Sequence, residues 1–99
     1  MTSDLREQFE QTMRDSILIE VETGIAFASI SLDSTDGDKR LRNCRNARKA
    51  YDTALYIWAK HPFLKSAEQQ RFHTRLSTLR HLLLRLGETS LGMGDNSLL

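Results

Sequence analysis

One proline, Pro62, and five glycines, at positions 24, 37, 87, 92 and 94, are the strongest backbone breakers in this 99-residue chain. Their placement constrains the fold more than any other feature. Residues 4–32 contain only Gly24, while 38–60 and 66–86 contain neither glycine nor proline. Such stretches, rich in Leu, Ala, Arg and Glu, favour helix, because an interior Gly costs about 1 kcal/mol and an interior Pro about 3 kcal/mol. No segment alternates apolar and polar residues, so no strand competes. The breaks predict an all-α chain with helices over about 4–32, 38–60 and 66–86.

The apolar residues fall at helical spacing within each segment. In the first, Leu5, Phe9, Met13, Ile17, Val21 and Ile25 follow one another at i+4, behind acceptable caps at Thr2, Ser3 and Asp4. The run SLDSTDGDK then breaks the helix, with Gly37 as its flexible point. In the second, Cys44, Ala47, Tyr51, Ala54, Leu55 and Trp58 share one arc. That helix should stop near Lys60, because His61 precedes Pro62 and is disfavoured in the helical region. In the third, Ser66 and Gln69 have capping-box spacing, and Phe72, Leu76, Leu79, Leu83 and Leu86 form the stripe. Gly87 is placed for the C′ position. Short connections make successive helices antiparallel neighbours. The expectation is an up-down-up three-helix bundle forming one domain over 1–87, with Leu76, Leu79, Leu83, Tyr51, Leu55 and Trp58 in one core. Residues 88–99 should be an irregular tail, flexible or loosely docked.

Charge is unevenly spread although the net is only +1. Residues 1–36 carry eight acids and two bases, whereas 37–85 carry twelve bases and three acids. The expected use of this asymmetry is internal, with acids of the first helix neutralising bases of the other two. Arg75, at the edge of the third stripe, is the clearest partner. The alternative is nucleic-acid binding by DKRLRNCRNARK, in which Arg42, Arg45 and Lys49 form a modest basic patch. Neither zinc-finger spacing nor an aromatic RNA-binding signature accompanies it.

Reactive groups are sparse. Cys44 is a lone thiol on the apolar stripe, which suits a reducing compartment and the role of a small core residue. The N-terminus carries acids where a secretory signal needs bases, and the apolar run Ile17–Leu32 is interrupted by Glu20 and Glu22. The expectation is a cytoplasmic protein that does not span a membrane. His61, His73 and His81 lack metal-ligand spacing, and Glu20 and Glu22 diverge on a helix. The better use for those carboxylates is pairing with arginines of other helices, while Tyr51 and Trp58 read as core aromatics. No phosphate loop, nucleophile elbow or metal motif is found. The expectation is a protein that is not an enzyme, with no catalytic, cofactor-binding or metal residue to name and no cofactor.

Helix 1 is apolar on two sides. Ile17, Leu18, Val21, Ile25, Ala28 and Leu32 form one face, and Ile19, Ala26 and Ile30 lie nearly opposite. A bundle of three helices covers one side of each, so the second face asks for another cover. Helix 1 is also the longest, about 42 Å at 1.5 Å per residue, so Leu5 and Phe9 should overhang the other helices. Leu5, Phe9, Ile19, Ala26 and Ile30 are therefore the candidate self-association residues, and a homodimer, or a complex with another protein, is the expected assembly. The competing cover is the tail, through Leu91, Met93, Leu98 and Leu99.

Two resemblances bear on this reading. Gly24 with Phe27, then Ala47, Tyr51 and Ala54, then Pro62, resemble the helical hairpin of a single tetratricopeptide repeat over roughly residues 20–62. The stretch ending NARKAYDTAL is similar to small bacterial helical proteins of unassigned activity. Together the resemblances imply a protein-interaction role and no ligand residues.

Overall fold

A computed structural model describes residues 2–61 and 64–92. Pro62, Met93, Leu98 and Leu99 lie outside the described residues. Three helices, α1 (Thr2–Asp33), α2 (Gly37–Lys60) and α3 (Ser66–Arg85), account for the fold, and the described residues contain no strand. The molecule is elongated, 52 × 30 × 19 Å, because one helix of 32 residues sets its length.

Only Ser34, Thr35 and Asp36 separate α1 from α2. Asp36 caps α2, its carboxylate accepting from the N–H groups of Asp38 and Lys39. Such a cap stabilises a helix by about 0.5–2 kcal/mol. Gly37, the expected flexible point, is instead the first residue of α2. The same corner is locked by Ser31, whose hydroxyl is fully buried and donates to the Arg40 carbonyl at 2.6 Å. Arg40 in turn donates to the carbonyls of Ser31 and Leu32. That places a cation at the C-terminus of α1, where the helix dipole favours one and α1 has no basic residue of its own.

At the far end, the rings of Phe9 and His61 meet edge to face at 5.3 Å. Ser31–Arg40 at one end and Phe9–His61 at the other make α1 and α2 antiparallel. Helix α3 runs alongside α1 in the same direction, as the ascending pairs Arg14–Glu68 and Glu22–Arg75 show. The topology is thus up-down-up, with α1 in contact with both other helices.

The core holds Ile17, Val21 and Ala28 from α1, Ala47, Tyr51 and Ala54 from α2, and Phe72, Leu76, Leu79 and Leu83 from α3. Leu55 and Trp58 pack at its edge. Gly24 lies tight against both other helices. A Cβ there would meet Leu79 Cδ2 at 2.6 Å and the Ala50 Cβ at 3.1 Å.

Two terminal details differ from the sequence expectation. The N-cap of α3 is Lys65, not Ser66. Glu68, rather than Gln69, closes the turn by accepting from the Lys65 N–H at 2.9 Å, since a carboxylate is the stronger acceptor for an unpaired helix N–H. At the other end, Gly87 takes φ +91°. The Gly87 N–H donates to the Leu84 carbonyl and that of Glu88 to Leu83, a Schellman turn. This turn sends residues 88–92 back along α2, and Leu91 enters the core at 1% exposure. The described part of the tail therefore docks on α2, filling the side where α2 and α3 touch least. It does not lie across the outer face of α1.

Candidate functional site

Helix periodicity sets what α1 shows to solvent. With Ile17, Val21, Gly24, Ala28 and Ser31 buried, Ile19, Thr23, Ala26 and Ile30 face outward. Ile19 is 62% exposed and Ile30 45%. Their spacing of four, three and four residues is that of a helix-pairing seam. Leu5 extends the row toward the N-terminus at 67% exposure, whereas Phe9, 48% exposed, does not overhang as expected: it lies on the α2 side of α1 and packs on His61. All five candidate self-association residues thus lie exposed on α1.

Beside this row, Glu20 and Phe27 turn toward α2. They line a groove of about 240 Å³ with Asn46, Lys49, Ala50 and Thr53. Lys49 and Thr53 also border a wider groove of about 570 Å³ on the outer side of α2, with Arg45, Arg48, Asp52, Tyr56 and Glu88. Arg42, Arg45 and Lys49 are exposed on one face, opposite the buried Ala47, Tyr51 and Ala54. Tyr56 stands among them at 64% exposure, with the Lys60 ammonium 5.7 Å from its ring centre. The apolar row and the basic face are therefore joined by one continuous surface.

At the edge of the same wider groove, Arg48 organises a cluster that sequence reasoning missed. It pairs with Asp52 one turn on and with Glu88 at 3.0 Å, and donates to the carbonyls of Thr89 and Ser90. The Cys44 thiol lies 3.6 Å from the Glu88 carboxylate and donates to it. Burial, and then the Glu88 charge, push this thiol above its ordinary range. It is the protonated, buried core residue that its place on the stripe suggested. The only signal for the cluster was Gly87, whose left-handed turn returns Glu88 to α2.

Toward α3 the expected pairing of an α1 acid with an α3 base is made by Glu22 and Arg75, while Arg14–Glu68 pairs an α1 base with an α3 acid. Glu22 receives both Arg75 Nε at 2.6 Å and a second guanidinium nitrogen at 2.8 Å. These hydrogen bonds hold the Glu22 carboxyl below its usual range. Toward α2 the expectation fails: Arg40 binds carbonyls of α1, and Arg48 pairs with Asp52 and Glu88. Arg42, Arg45 and Lys49 point outward because the stripe opposite them faces the core. His73 and His81 are exposed on α3, with His73 edge-on to Trp58 at 5.7 Å.

Among the described residues no group of three His, Cys, Asp or Glu side chains could hold a metal ion. No described helix is long and apolar enough to cross a membrane. No protein-family model, curated protein or solved structure matches the chain.

Proposed function

We propose that this chain is a non-enzymatic helical interaction module that associates with a second copy of itself through α1. The observation that carries this reading is the exposed row Ile19–Ala26–Ile30, extended by Leu5. A helix apolar on two sides normally buries both. Here α2 and α3 cover one side and the tail segment 88–92 covers α2, so among the described residues nothing lies across Ile19, Ala26 and Ile30. Sedimentation equilibrium of the full chain at micromolar concentration is expected to return twice the 11.4 kDa chain mass. A sole 11.4 kDa species would reject the reading.

A second reading is nucleic-acid binding along α2, favoured by the exposure of Arg42, Arg45 and Lys49 around Tyr56. Phosphate contacts release counterions, so a gel shift that weakens steeply with salt would support it. Absence of any shift at low salt would remove it.

A further inference from the structure

Resting on the self-association reading, we infer that the pairing is reciprocal, with α1 of each copy laid on the basic face of α2 in the other. The charges argue against α1 on α1. Residues 1–36 hold eight acids and two bases, and the exposed row is bordered by Asp15 and Asp33 on one edge and Glu20 on the other. Pairing two such rows sets acid against acid, which across an interface is strongly unfavourable. The outer face of α2 is the more basic surface: Arg42, Arg45 and Lys49 surround an exposed tyrosine and outnumber Asp38 and Asp52 on the same face.

Geometry permits the exchange in one closed dimer. The row on α1 and the basic face of α2 adjoin across the groove that Glu20 and Lys49 both line. A twofold axis along that groove, parallel to the helices, places each α1 over the other copy's α2 at nearly unchanged height. Glu20 and Lys49, close in level within one chain, then face each other twice across the interface, and the Ile19 side chain meets the region between Asp52 and Tyr56. Area gives the same answer. One helix strip about 38 Å long and about 10 Å wide buries roughly 400 Å² per partner, half of what a standard interface needs. Using both strips brings it to about 800 Å² per partner.

Charge reversal tests the pairing separately from self-association itself. Glu20→Lys and Lys49→Glu are each made in the full chain, with thermal melting by circular dichroism confirming that both fold. In sedimentation equilibrium each variant alone is expected to associate about tenfold more weakly than the parent, because each dimer sets like charges together twice. An equimolar mixture of the two is expected to regain parental association, since positions 20 and 49 then carry opposite charges at both contacts of the mixed dimer. A Glu20→Lys chain that associates more tightly than the parent would show α1 pairing with α1, overturning the reciprocal arrangement while leaving self-association standing. A mixture no stronger than the separate variants, or open-ended polymers in place of a dimer, would overturn it equally. A parent chain that stays monomeric would overturn both readings.

Discussion

Helices α1 and α3 both carry rows of large apolar residues, yet the fold treats them differently. Helix α3 turns Phe72, Leu76, Leu79 and Leu83 into the core and leaves Leu84 as its one large apolar residue substantially exposed. Helix α1 buries Ile17 and Val21 and leaves Leu5, Phe9, Ile19 and Ile30 outside. The difference lies in pattern rather than in composition. Helix α3 has one stripe and needs one neighbour. Helix α1 has two, and among the described residues the three helices and the docked segment 88–92 supply cover for only one of them. An apolar residue on α3 therefore reports on folding, and one on the outer row of α1 reports on assembly.

The largest expected effect breaks the inner side of this comparison. Leu79 is fully buried against Gly24, so Leu79→Ala should cost about 2–5 kcal/mol in urea denaturation. Leu84→Ala on the same helix should stay within about 0.5 kcal/mol. Similar costs for the two would mean that α3 does not present a single buried stripe.

Next is the cover on α2. Arg48→Met removes the clamp on Thr89 and Ser90 and leaves Glu88 without its guanidinium. The expected loss is about 1–3 kcal/mol, with faster backbone hydrogen exchange over 88–92 and faster reaction of Cys44 with a disulfide probe. Unchanged exchange over that segment would show that Leu91 alone holds it.

A smaller effect concerns the seam between α1 and α3. Glu22→Gln should cost about 0–1 kcal/mol at neutral pH, since Glu22 and Arg75 are both partly solvated. The Glu22 carboxyl is held below its ordinary value of 4.5 in the folded protein, so its contribution is present above that value. It is lost as pH falls through the lowered folded value. The stability difference between parent and Glu22→Gln should therefore shrink on acidification below the ordinary carboxylate range. A difference that grows there would contradict the pairing.

Much of this arrangement was legible in the sequence, and the gaps have identifiable causes. The α3 stripe, the Gly87 turn, the Arg75 partner and the exposed row of α1 all follow from short-range periodicity, which a helix converts directly into direction. The α3 cap was misassigned because Ser66–Gln69 and Lys65–Glu68 share the same spacing, and only geometry selects the carboxylate. Pairing of α2 bases with α1 acids failed because net charge by segment carries no direction; the faces of Arg42, Arg45 and Lys49 do. The Arg48–Glu88–Cys44 cluster joins residues forty or more positions apart, through a segment with no periodicity of its own.

The most direct test of the central claim separates folding from assembly on the outer row of α1. Ile30→Glu and Ile19→Glu are compared with the parent by sedimentation equilibrium at micromolar concentration, alongside urea denaturation at a concentration where the parent is dissociated. The expected result is a dimeric parent and weakened association in both variants, with monomer stability changed by no more than about 0.5 kcal/mol, as for exposed positions generally. A parent of 11.4 kDa, or variants that associate as well as the parent, would contradict the claim that this row is the interaction face.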